Sequence, residues 1–235
     1  MSSYFESGKQ ERMMAYNPPD SIIEDRTYNL VMGGVVLYGL FVNLFMCLYC
    51  TEIAVNFIVS TGFMFYVIYM GLCIAGIFIS RRSDSPLVSF LGYNLVVVPL
   101  GVIVSASVWI YGGAGSPVVT QAVLYTGIIT ACMIALSVAF PDFFSRLGGI
   151  LCAILLGIVI SELICMIIGI EQMITAWLGA GIFSLYIGYD FWRSQEYPKT
   201  VDNAVDSAVD IYIDIVGLFL RVLQILGNSR SSSRR

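Results

Sequence analysis

Seven long apolar runs alternate with short polar stretches along this sequence. Each run is close to the ~20 residues that a helix needs to cross the hydrocarbon core of a bilayer. We therefore predict an all-α polytopic membrane protein with seven transmembrane helices, the last of them central in the bundle. The runs cover 28–49, 57–80, 87–111, 118–140, 147–169, 173–192 and 205–227.

The polar stretches divide the chain into one domain and two tails. Residues 1–26 are polar and mixed in charge, and we interpret them as a cytoplasmic N-terminal tail. Residues 27–227 form the predicted seven-helix transmembrane domain, and 228–235 form a C-terminal tail. Glu52 and Asn56 are expected to mark a short turn between the first two helices.

The composition supports this class and removes several chemistries. Hydrophobic residues make up 58% of the chain and charged residues 12%, whereas an average soluble domain has about 25% charged residues. The absence of histidine removes imidazole metal ligands and histidine-based proton switching. The six cysteines are interpreted as small apolar packing residues. The lipid bilayer is the expected surrounding, and no nucleic-acid partner is expected.

The distribution of lysine and arginine predicts the orientation, because these residues concentrate in cytoplasmic segments. With the N-terminus in the cytoplasm, the outer loops hold only Glu52 and Glu171 as charged residues. The N-terminus lacks the layout of a cleavable signal peptide, and we predict a multi-pass protein of the cell membrane. Arg230, Arg234 and Arg235 oppose the pattern, since seven crossings put them outside. Either this tail departs from the rule or the last segment dips in and returns, and we favour a full span. The inner basic residues are Lys9, Arg12, Arg26, Arg81, Arg82, Arg146, Arg193 and Lys199.

The last apolar run carries acids within its apolar body. Asp206, Asp210 and Asp214 are spaced four residues apart, which puts them on one side of a helix. A carboxylate in hydrocarbon costs on the order of 3 kcal/mol or more, so these groups should face protein or water and find a partner. Arg81 ends the second run and Asp190 ends the sixth at the cytoplasmic side. Both are therefore expected to meet Asp214 in the cytoplasmic half of the bundle.

The acids allow functional and structural interpretations. Two close carboxylates cannot both ionise cheaply, so Asp190 and Asp214 together can titrate near neutral pH without a histidine. The alternative is a polar network that only fixes helix packing. Asp206 and Asp210 either line an ion path or form a solvated helix start. Glu162, inside the fifth run, either lines the same path or reaches the outer interface.

Two segments resemble the Bax inhibitor-1 family, the transmembrane BAX inhibitor motif proteins. The first is Ser-Leu-Tyr-Ile-Gly-Tyr-Asp at 184–190. The second is Asp-Ile-Tyr-Ile-Asp-Ile-Val-Gly-Leu-Phe-Leu at 210–220, followed by Leu-Gln-Ile-Leu-Gly at 223–227. The family's usual pattern has Tyr-Asp ending helix six and Leu-Tyr-Leu-Asp-Ile-Ile-Asn-Leu-Phe in helix seven. The layout is similar to that of bacterial members, and Gly217 stands where the family usually has asparagine.

The resemblance implies a pH-sensitive calcium leak channel. In members with this activity, paired aspartates act as the pH sensor and an arginine-aspartate lock holds the pore closed. Carried over, Asp190 and Asp214 would be the sensor pair and Arg81 the gating lock. Asp210 and Asp214 also offer oxygen ligands for a weak Ca²⁺ passage site. No cofactor is expected, because Ca²⁺ is the transported ion.

Other functions remain open at this point. Some members of the family are associated with regulation, so the alternative is an interaction protein that modulates a membrane protease or stress response without conducting ions. An enzyme is not expected, because the acids lack the Gly-x-Gly-Asp flank of intramembrane aspartyl proteases. A proton-coupled transporter stays possible, since intramembrane acids also mark proton relays.

Overall fold

The computed structural model describes residues 22–83, 85–168 and 173–232. In these segments the chain forms helices and no strand, which confirms the predicted all-α class. Predictions for residues 1–21, Glu171, Arg234 and Arg235 lie outside the described residues. The described helices are α1 Asp25–Tyr49, α2 Thr51–Thr61, α3 Phe63–Arg82, α4 Pro86–Ile110, α5 Pro117–Ala139, α6 Pro141–Phe144, α7 Gly148–Ile168, α8 Met173–Glu196 and α9 Val201–Ser232.

Four of these helices, α1, α3, α4 and α5, are long and apolar enough to cross a membrane. They expose large apolar side chains such as Phe41, Phe63 and Leu91, as a lipid-facing surface requires. The last helix, α9, carries several aspartates and two arginines along its length. The chain is therefore a helical membrane protein, and the count of seven crossings stays a prediction.

The turn predicted at Glu52 and Asn56 is wrong, because both residues belong to α2. These two residues and Ser60 are four residues apart and all exposed, so they form the polar face of a short helix. Gly62, with a positive φ of 55°, separates α2 from α3. The second apolar run thus divides between two helices, and α3 begins at Phe63 instead of residue 57.

The last helix lies at the centre of the bundle, as predicted. α9 packs against α8, α1, α4 and α5. The N-terminal half of α9 also contacts the end of α3. Ala204 and Ala208, one turn apart, are fully buried, and their small side chains let neighbouring helices approach closely. Any charged group on α9 is therefore presented to several other helices.

Three buried tyrosines fix α9 against α1 and α4. The Tyr212 ring meets the Tyr93 ring edge-on at 5.3 Å between centroids. The Asn43 amide donates a hydrogen bond of 2.8 Å to the Tyr212 hydroxyl, and the Tyr93 hydroxyl donates one of 3.0 Å to the carbonyl of Val35. Tyr28, at the start of α1, is fully buried. These contacts set the height of α9 relative to α1.

Candidate functional site

Four carboxylates follow one side of α9, and each meets a different partner. Asp202, Asp206, Asp210 and Asp214 repeat every four residues. Asp202 was not among the predicted site residues, although it continues the same spacing one turn earlier. The partners of the four aspartates come from α3, α4 and α8.

The two N-terminal carboxylates accept hydrogen bonds from buried serines. The Ser89 hydroxyl on α4 donates to Asp202 Oδ1 at 2.7 Å. The Ser80 hydroxyl on α3 donates to Asp206 Oδ1. Both serines are almost completely inaccessible to solvent, so these bonds join helices within the protein.

The third carboxylate forms an ion pair. Arg81 Nη2, at the end of α3, donates to Asp210 Oδ1 at 2.6 Å. The Arg81 side chain is 42% exposed and that of Asp210 is 21% exposed. The pair thus joins α3 to α9 at the edge of the bundle, where water reaches the guanidinium.

The fourth carboxylate faces another acid. The Asp214 side chain lies beside the carboxyl group of Asp190 on α8, close enough for the two groups to share a proton. A hydrogen bond between two carboxyl groups requires a proton on one of them. Asp214 is only 6% exposed, and its Oδ2 atom has no hydrogen-bond partner. Burial, proximity and an unused acceptor are the features of a carboxylate pair whose charge changes with proton binding.

The connection between α8 and α9 sets the register of this pair. The Lys199 amino group donates a hydrogen bond of 2.7 Å to the carbonyl of Gln195, and it lies 4.5 Å from the centre of the Tyr28 ring. Burial lowers the pKa of Lys199, because the charged form loses water. The Tyr28 hydroxyl donates a hydrogen bond of 3.0 Å to the carbonyl of Ser194, and it lies 3.0 Å from the Ser207 hydroxyl. α1 therefore holds the end of α8 and the start of α9 together.

Comparisons with known proteins identify the family of this chain. The family described as "Inhibitor of apoptosis-promoting Bax1" matches residues 21–231. This range includes every described helix except the final residue of α9, Ser232. The chain belongs to the Bax inhibitor family. Two uncharacterised proteins of Helicobacter pylori, from strains J99 and 26695, are 31% and 30% identical to it over 117 residues. Each alignment covers 48% of this chain and 50% of the relative, so the chain matches half the length of these relatives.

Within this Bax inhibitor family member, the structure brings Asp190, Asp214 and Arg81 close together and places Glu162 elsewhere along α9. Asp190 and Asp214 meet, as the sequence predicts. Arg81 lies near Asp190, but its ion pair is with Asp210. The interpretation of Asp206 and Asp210 as a solvated helix start is wrong, because both groups are partly buried and bonded to α3.

The described part of the chain holds no group of three or more acidic or cysteine side chains suited to bind a metal ion. Asp210 and Asp214 lie near one another on α9. They supply fewer oxygen atoms than the six to eight ligands that Ca²⁺ takes in a tight site. The weak passage site at these residues stays a prediction.

Glu162 takes part in a contact that the sequence analysis missed. Arg221 on α9 holds both oxygens of Glu162 on α7, with Nη1–Oε1 at 2.6 Å and Nη2–Oε2 at 2.8 Å. The side chains are 21% and 18% exposed. The signal available in the sequence was the one charged residue of the fifth run and the one arginine of the last run, since buried charges in membranes pair with one another.

A cavity of about 440 Å³ lies beside the C-terminal half of α9. Its lining on α9 extends from Ile213 to Gln224 and includes Gly217 and Arg221. At Gly217 an added Cβ would lie 2.6 Å from the Phe183 ring, which is a physical reason for glycine where the family usually has asparagine. Ile213 precedes Asp214 in the chain, so the cavity reaches the level of the carboxylate pair along α9, and neither aspartate is part of its lining.

Proposed function

We propose that this protein is a pH-sensitive calcium leak channel of the cell membrane, with its N-terminus in the cytoplasm. The observation that carries the proposal is the burial of Asp214 beside Asp190, between the last helix and α8 at the centre of a membrane bundle. Membership of the Bax inhibitor family supports it. The orientation is supported by Arg81, Arg193 and Lys199, which lie at one end of the bundle as the positive-inside rule requires.

The sensor pair acts through the charges that surround it. Asp210 on α9, Arg81 on α3 and Arg193 on α8 all interact electrostatically with Asp190. At high pH, the negative charge of the pair helps to hold Arg81 beside α9. A further proton removes that charge and weakens the hold on Arg81, and α9 then shifts to a second packing against the bundle. Calcium leak therefore rises as pH falls.

The channel needs no catalytic group or cofactor in this proposal. Ca²⁺ passes the partly buried oxygens of Asp206 and Asp210 and the buried oxygens of Asp214 without a tight site, because conduction requires that an ion leave as readily as it enters. Glu162 contributes from the other end of α9 through Arg221.

Calcium entry into liposomes containing the purified protein tests the proposal. We expect wild-type entry to rise between about pH 8 and pH 5, and the Asp190→Asn/Asp214→Asn variant to lose this dependence, because an amide cannot titrate in this range. Asp142→Asn is the matched control, since Asp142 is exposed on α6. The control should retain the wild-type pH profile.

One result would overturn the channel, and another would overturn the sensor pair. Wild-type entry no greater than that of empty liposomes at every pH would favour the interaction protein that modulates a membrane protease or stress response. Retention of the full pH profile in Asp190→Asn/Asp214→Asn would assign the proton response to other groups.

A further inference from the structure

The cavity beside α9 has one strongly charged group in its wall. Arg221 lines it together with Ser107, Tyr111 and Gln224, and no acidic side chain lines it among the described residues. A guanidinium keeps its charge at every accessible pH. In a cleft with apolar walls, a single positive charge raises the local potential and repels cations.

Glu162 compensates for this charge from outside the cavity. It approaches Arg221 from α7, holds two guanidinium nitrogens and is not part of the cavity lining. These short distances place the two opposite charges in contact, so the pair acts as a neutral unit at the distance of an ion in the cavity.

The polar side chains of the cavity lie towards one end of the bundle. Tyr111 directly follows the end of α4, and the chain then turns through 112–116 without a charged residue. Ile213, Leu100 and Gly217 are closer to the middle of their helices. The cavity thus extends about 16 Å along α9 from this end towards Asp214, at 1.5 Å per residue.

We propose that Glu162 is a charge-selectivity residue: by neutralising Arg221, it allows the cavity beside α9 to admit cations on their way to the Asp190–Asp214 pair. The assignment of Ca²⁺ as the cation rests on the proposed function. In the absence of the Glu162 carboxylate, the same cavity excludes cations and admits anions.

The local potential is measured without any conduction. Ser107→Cys introduces a thiol into the cavity wall, and its rate of modification is compared for a trimethylammonium and a sulfonate methanethiosulfonate reagent. Both reagents attack the same thiolate, so changes in thiol ionisation cancel in the ratio of the two rates. The modified cysteine is identified by peptide mass. The same protein without Ser107→Cys is labelled in parallel to correct for the six native cysteines.

We expect Glu162→Gln to lower the cation-to-anion rate ratio about tenfold and Arg221→Gln to raise it by a similar factor, because each leaves one unpaired charge in a low-dielectric cleft. The double variant Glu162→Gln/Arg221→Gln should restore the rate ratio measured with Ser107→Cys alone. If Glu162→Gln does not fold, the opposite shift in Arg221→Gln and its reversal in the double variant still decide the proposal.

An unchanged ratio in all three variants overturns the proposal. So does the absence of labelling by either reagent, because a cavity that aqueous ions cannot enter is no part of an ion path. These results do not depend on calcium flux. A wild-type protein that shows the expected ratios but no flux loses its proposed function and keeps the assignment of Glu162.

Calcium entry provides the second readout where the wild type conducts. Glu162→Gln should reduce entry about tenfold, Arg221→Gln should increase it, and the double variant should be close to wild type. If the ion pair instead held α9 in a closed position, all three variants would increase entry. That pattern would contradict charge selectivity.

Discussion

Replacing Arg81 by Gln removes the guanidinium that joins the end of α3 to Asp210 on α9. The Nη2–Oδ1 distance of 2.6 Å is that of a strong charge-assisted hydrogen bond. A buried bond of this kind contributes about 1.5–3 kcal/mol. Because the Arg81 side chain is 42% exposed, solvent screening reduces this to about 1 kcal/mol.

We expect that loss to appear in the closed state alone. If the ion pair is the gating lock, losing about 1 kcal/mol shifts the ratio of open to closed channels about fivefold, since 1.4 kcal/mol is tenfold. Arg81→Gln and Asp210→Asn should each increase calcium entry into liposomes about fivefold at pH 8. The double variant should add little to either, because both changes remove the same contact.

Arg82→Gln is the matched control. Arg82 lies at the same helix end and is exposed, with its guanidinium 5.1 Å from the centre of the Phe78 ring and no ion pair in the described residues. It should leave calcium entry at the wild-type level. Equal effects of Arg81→Gln and Arg82→Gln would show that only the net positive charge of this helix end matters. Fully additive effects of Arg81→Gln and Asp210→Asn would also refute the lock.

Two further substitutions test how α9 is positioned, with thermal unfolding in detergent as the measurement. Gly39→Ala should destabilise the protein by about 1–3 kcal/mol, because the added Cβ would overlap the Tyr93 hydroxyl and lie 2.9 Å from the Tyr212 ring. Gly33→Ala, where a Cβ meets nothing within 4 Å, is its control, and equal unfolding temperatures for the two would contradict this packing. Tyr212→Phe should cost about 1–2 kcal/mol, since Asn43 is 5% exposed and both of its amide hydrogen bonds end on the Tyr212 hydroxyl. A stability equal to wild type would mean that Asn43 has another partner.

The helices could be predicted from the sequence because their signals are local. Runs near ~20 apolar residues identify membrane helices without knowledge of their neighbours. The wrong prediction of a turn at Glu52 and Asn56 also has a local cause. Polar residues at a four-residue spacing suit the exposed face of a helix as well as they suit a turn.

The acidic side of α9 was equally visible in the sequence. The spacing of Asp206, Asp210 and Asp214 follows from helical periodicity, and the cost of burying charge implies that each has a partner. The pairing of Asp190 with Asp214 was also predicted, and the resemblance to the Bax inhibitor-1 family made the two residues stand out. The same periodicity, extended by one turn, leads to Asp202.

Only the tertiary structure decided which partner each charge has. Arg81 was expected near Asp214, yet it binds Asp210, one turn earlier on α9. Glu162 and Arg221 are far apart in the sequence. They meet because the packing of α7 and α9 puts the two residues at the same level of the bundle. One turn of helix is about 5.4 Å, more than the length of an ion pair, so partner choice depends on the vertical register of packed helices. That register is set by contacts such as Asn43 with Tyr212, and no periodicity within a single helix contains it.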